Sequence, residues 1–117
     1  MKRRPKKPVA SPLTREDRVE VHGRVRAAVC LRGGGMEVFG DVHNLSEGGM
    51  YLLITERFPQ ECACECRLIV NDGIEEVFVH GWVAHVKELG MAVQFDEPDR
   101  ETRQSIRAIM DRVAATT

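Results

Sequence analysis

From Val19 to Phe95 apolar residues fall mostly at every second position in short runs, and each run ends at a cluster of turn-forming residues. Alternation of that kind keeps one face of a segment out of water and the other in it, as a half-buried β-strand requires. Val19, Val21, Val25, Ala27 and Val29 open the series as one expected strand, and Gly33-Gly34-Gly35 turns it. Met36 to Val42 reads as the return strand. Asn44-Leu45-Ser46-Glu47-Gly48-Gly49 interrupts the pattern, Met50 to Thr55 resumes it, and Phe58-Pro59-Gln60-Glu61 turns again. Cys64, Cys66, Leu68 and Val70 then share a face opposite Glu65 and Arg67. Asn71-Asp72-Gly73 is a tight-turn signal, Glu76 to Val86 a long strand, and Glu88-Leu89-Gly90 leads into Met91 to Phe95. About six strands with short connections predict an antiparallel barrel or sandwich. Past Phe95 the period changes. Ile106, Ile109, Met110 and Val113 fall at helical spacing, with Asp96 or Asp99 as cap and Pro98 suited to a first turn.

The chain has 117 residues, enough for one ordinary domain, and 43% of them are apolar, enough for a core. Charge is unevenly spread. Residues 1–18 hold seven Lys/Arg against Glu16 and Asp17, whereas the remainder holds ten Lys/Arg against sixteen Asp/Glu. Residues 1–14, with three prolines and five Lys/Arg, read as a basic flexible arm, and 15–117 as the folded domain. The basic start has no apolar segment after it and is not a secretory signal; no run reaches the ~20 apolar residues that span a bilayer. A cytoplasmic bacterial protein without membrane insertion is expected.

Common catalytic arrangements are missing. There is no His-Glu-x-x-His, no Walker lysine and no Gly-x-Ser-x-Gly elbow, so no enzyme is expected. His22, His43, His80 and His85 are scattered, and by parity His80 and His85 fall on opposite faces of one strand, unable to clasp a metal together. Cys62, Cys64 and Cys66 point the same way as Leu68 and Val70. They are read as small core residues, and no metal or cofactor is expected. Trp82, the one tryptophan, alternates with Val83 and suits a core or partner contact rather than a nucleic-acid surface. The acidic body likewise argues against a nucleic acid polymer as partner.

One segment stands out chemically. Asn44 and Ser46 sit at i and i+2, so both project from one side of an extended chain, and Gly48-Gly49 lets backbone approach a flat ligand or take a positive φ. An amide with donors and an acceptor, beside a hydroxyl, can grip the edge of a guanine base; the same residues also make ordinary turns. Asn44-x-Ser46-x-x-Gly49 resembles the Asn/Asp-x-Ser-x-x-Gly motif of the PilZ domain family. Val19-Glu20-Val21 after Arg18 resembles that family's first strand. Val79-His80-Gly81-Trp82-Val83, followed by Gly90-Met91-Ala92-Val93-Gln94-Phe95 and a helix, resembles its ending. The likeness covers about residues 15–114.

That resemblance implies a mainly β fold, a six-stranded antiparallel β-barrel with a C-terminal α-helix. It also implies a cyclic di-GMP receptor. An Arg-x-x-x-Arg motif before the first strand would hold the phosphates and stack on guanine, and the Asn-x-Ser-x-x-Gly segment would meet the base edges. Here Arg18 matches the second arginine, Thr14 stands four residues before it and Arg15 three before it, which is expected to limit affinity. The implied ligand-binding residues are Arg15, Arg18, Asn44, Ser46, Gly48 and Gly49. The expected function is a single-domain receptor, monomer or homodimer, relaying the nucleotide to a downstream protein. The alternative is a degenerate module that binds no nucleotide and acts as a protein-interaction adaptor.

Overall fold

The computed structural model describes residues 18–21, 24–70 and 73–115. Their alternating segments hydrogen-bond into one antiparallel sheet: β1 (Val19–Glu20), β2 (Val25–Leu31), β3 (Val38–Ser46), β4 (Gly49–Leu53), β5 (Ala63–Val70), β6 (Glu75–Val86) and β7 (Gly90–Phe95), followed by helix α1 (Arg100–Ala115). The strand order is β1-β3-β2-β5-β6-β7-β4, and β3 also pairs with β4. Strands β2 to β7 therefore close on themselves as a six-stranded barrel, with β1 a two-residue addition to β3. The fold expected from the alternation and the resemblance is the fold observed. Among the described residues no helix is long and apolar enough to cross a membrane.

The opening strand differs from its expectation. Seven positions separate Val19 from Arg26 but only four separate their partners Leu45 and Asp41, so the chain loops out over the difference. Val21 N–H still bonds His43 O at 2.9 Å, and Arg24 N–H closes a turn onto Val21 O at 2.9 Å. One expected strand thus becomes β1 and β2 on the same flank of β3. His22, Asn71 and Asp72 lie outside the described residues.

Two register shifts, between Val42 and Asn44 and between Val83 and His85, change which residues face inward. The second overturns the parity argument for the histidines. Val83 points into the core, the bulge absorbs one position, and His85 falls opposite Ala92 on the outer face, so His80 and His85 are both exposed on that face.

Inside, Val25, Leu45, Met50, Leu52, Leu68, Met91 and Val93 are fully or almost fully buried, and Cys64 and Cys66 pack among them. Their sulfurs lie 3.9 Å apart, and contact with Cys64 together with burial pushes the Cys66 thiol well up. Gly81 marks a tight approach of β6 to β7, since a Cβ there would sit 2.5 Å from Gln94 O.

Helix α1 closes the barrel at the end where β3 and β5 finish and β2 and β6 begin. Its stripe, Ile106, Ile109, Met110 and Val113, is buried in the same cluster as the strand residues. Asp99 is the cap: its carboxylate accepts from Thr102 N–H at 2.8 Å and its carbonyl from Arg103 N–H at 2.9 Å. Pro98 stands before the cap and outside the first turn, contrary to its expected place. Arg24 Nη1 donates to Val113 O, and ion pairs Arg112–Glu75 and Arg107–Glu47 strap the helix to the strands. Exposed pairs stabilise little, so the apolar stripe carries the docking.

Candidate ligand-binding face

The register shift in β3 sets the site. Val42 and Leu45 both face the core, which leaves Asn44 and Ser46 pointing outward from the same strand. Asn44-Leu45-Ser46 is therefore not a break between strands, as the sequence suggested, but the last stretch of β3. It leads through the two residues Glu47 and Gly48 into β4.

Ser46 is completely buried although it faces outward. Its Oγ accepts from Gly48 N–H at 3.1 Å and donates to Gly49 O at 3.3 Å. Gly48 and Gly49 are not among the described glycines at positive φ, so the conformational freedom anticipated for them is not used. Serine first and glycine fourth are what an ordinary type I turn favours. Ser46 and Gly49 thus build the corner, and Ser46 does not hold out a free hydroxyl.

Asn44 has the complementary property. Its Oδ1 is buried and has no hydrogen-bond partner among the described residues. A buried amide oxygen left without a donor costs about 1–3 kcal/mol, and such atoms are uncommon enough to demand a reason. Tyr51 lies opposite Asn44 on β4 and Glu20 opposite it on β1. The register pairing Val19 with Leu45 and Glu20 with Asn44 runs the exposed Arg18 toward Ser46. Arg15 falls outside the described residues. Of the six residues the sequence pointed to, Asn44, Ser46, Gly48 and Gly49 meet at one corner and Arg18 approaches it along β1.

The pairing also brings in residues that the motif does not contain. Gly49 faces Gln94, and Gln94 faces Trp82, giving a row Ser46–Gly49–Gln94–Trp82 across four strands. Beside it runs Asn44–Tyr51–Ala92–His85. Trp82 and Gln94 are 4% and 8% exposed while standing on the outer side of the barrel, and Trp82 is not part of the core cluster. Gln94 had a signal in the sequence, as a polar residue amid the apolar ending Met91 to Phe95. Tyr51 had none. The outer wall next to the corner therefore carries polar and aromatic side chains, of which Ser46, Gln94 and Trp82 are covered, with Arg18 and Glu20 of the β1 segment beside it. Among the described residues no group of three or more His, Cys, Asp or Glu is placed to hold a metal.

Comparison with known proteins agrees with this architecture. The family model described as the PilZ domain matches residues 12–112. The structure is similar to the PilZ domain of CeSA from a cellulose synthesizing bacterium, at 13% identity and TM-score 0.68, over 83% of this chain and 97% of that one. It is also similar to the Bacillus subtilis inhibitor of motility (MotI/DgrA), at 12% identity and TM-score 0.69, over 86% of this chain and 50% of that one. An uncharacterized Legionella protein is similar at 12% identity and TM-score 0.55. At these identities the likeness is one of fold. No curated protein matches the sequence.

Proposed function

The chain belongs to the PilZ domain family, and from that premise we propose that it binds cyclic di-GMP on the outer wall of the barrel around Asn44 and relays the bound state to a partner protein. The observation that carries this reading is the buried, unpartnered Oδ1 of Asn44. Guanine offers N–H donors on its base-pairing edge, and one of them would satisfy that oxygen. Gly48 and Gly49 keep the corner low beside it. Arg18 approaches the same corner along β1, and a guanidinium suits a phosphodiester by forked, charge-assisted bonds. Arg15 would add a second guanidinium.

A second reading, a module that binds no nucleotide and works as an adaptor, draws on Ser46, whose hydroxyl is already used by the turn. Calorimetric titration of the purified chain with cyclic di-GMP separates the two. The receptor reading expects saturable heat that Asn44→Ala abolishes or weakens at least roughly ten-fold, an equilibrium change worth about 1.4 kcal/mol. No heat and no rise in melting temperature at about 100 μM ligand, a concentration that would half-saturate a site of about −5.5 kcal/mol, would leave the adaptor reading.

A further inference from the structure

Cations are not spread evenly over the folded body. Beyond residue 18 the chain has ten Lys/Arg against sixteen Asp/Glu, and four of those ten, Arg100, Arg103, Arg107 and Arg112, are on α1. Three of the four fall at i, i+3 and i+7, so they share one side of the helix, flanking the apolar stripe. Arg100, Arg103, Gln104, Arg107 and Asp111 line a shallow hollow of about 380 Å³ whose far wall is Glu47 of the β3–β4 corner.

The arginines are held in place without being used up. Arg107 donates through Nε to Glu47 Oε2 at 2.8 Å, and Arg103 through Nη1 to Pro98 O at 2.6 Å. A guanidinium has five N–H donors in a fixed fork. Anchoring one of them fixes the plane and leaves the others for an incoming acceptor, which lowers the ordering cost of binding. Arg100 and Arg103 form no ion pair within 4 Å among the described residues.

We propose that this face of α1 is a docking surface for an acidic segment of a partner protein, whose carboxylates seat on Arg100, Arg103 and Arg107. Charge complementarity selects that occupant, because a basic stripe on an acidic body attracts a short acidic segment while the surrounding carboxylates repel misplaced ones. A nucleic acid fits less well. Its phosphates continue past the stripe onto acidic surface, and no aromatic side chain lines the hollow to stack a base.

The test is fluorescence anisotropy on the full chain with a short labelled peptide of alternating glutamate and alanine at two ionic strengths. Arg100→Glu combined with Arg103→Glu is expected to weaken binding at least about ten-fold, and Arg100→Lys combined with Arg103→Lys to retain most of it, since charge drives the encounter and the fork refines it. Circular dichroism confirms that each variant melts as the wild type does. Replacing Arg3, Arg4, Lys6 and Lys7 by alanine is expected to leave the affinity within about two-fold, because the proposal seats the carboxylates on the helix arginines and not on the arm. Loss of binding in that arm variant with retention in the helix variant overturns the proposal. So does failure of the peptide to bind, or tighter binding of a single-stranded oligonucleotide of equal charge at the same arginines.

Discussion

Asn44 and Ser46 are two residues apart, face the same way and do different work. Ser46→Ala removes two hydrogen bonds from a fully buried corner. It should cost about 1–2 kcal/mol, read as a fall of several degrees in melting temperature. Asn44→Ala removes an oxygen that has no partner among the described residues. Its melting temperature should hold or rise, because the cost of the unpartnered oxygen, about 1–3 kcal/mol, goes with it, while cyclic di-GMP affinity collapses. If the stability losses come out reversed, the roles assigned here are reversed too. Arg18→Ala should weaken the nucleotide by roughly ten-fold, as loss of a charge-assisted contact of about 1.5–3 kcal/mol would, discounted for exposure. The effect should shrink at high salt. Thr14→Arg, which restores the four-residue spacing to Arg18, is expected to tighten binding in the same titration.

Among the elements, β6 and α1 show what the sequence could and could not disclose. The alternation of Cys64, Cys66, Leu68 and Val70 was readable because β5 runs unbroken against both neighbours, and the helical stripe was readable because nothing interrupts its period. The outer face of β6 was not. Parity counting assumes an intact ladder, and the shift between Val83 and His85 moves everything after it by one place. The same holds at Asn44, where the shift turns an apparent loop into strand. The split of the first strand depends on where β3 offers hydrogen-bonding groups, a long-range fact that no local pattern contains. In the candidate site, the corner Asn44 to Gly49 was legible and the wall of Tyr51, Gln94 and Trp82 was not, because cross-strand pairing assembled it. Gly81→Ala tests the closure of β6 on β7. Its Cβ would meet backbone, Gln94 O at 2.5 Å, and the strands would have to part, at about 1–3 kcal/mol. The helix start gives a pH prediction. The N–H of Thr102 holds the Asp99 carboxyl below the usual aspartate range. Its folded-state pKa is therefore the lower one, and its stabilisation is complete above the unfolded value and lost as pH falls through the folded value. The wild type should outlast Asp99→Ala in thermal melts near neutrality, and the gap should close in acid.

For the whole molecule, the corner and the helix belong to one surface. Glu47 sits between Ser46 and Gly48 and reaches across to Arg107, so the proposed nucleotide wall and the basic stripe share a residue. Glu47→Gln should remove a carboxylate from the hollow at the cost of the contact that orients Arg107; the lost repulsion is the larger effect at low salt, so affinity for the acidic peptide should rise a few-fold there, on the scale of an exposed pair. The closed barrel behind them gives strands β2 to β7 no unpaired edge along which to slide. A ligand held on this wall, as proposed, would act through such surface straps more readily than by prying strands apart. The helical stopper has a further consequence for the order in which the domain is made. Translation proceeds from β1 to α1, so every strand has left the ribosome before Ile106, Ile109, Met110 and Val113 arrive to seal the barrel's mouth. Until then the barrel's mouth lacks the apolar stripe that closes it. A chain cut after Glu97 should therefore associate with other copies where the full chain does not, a difference that light scattering of the two purified chains would read.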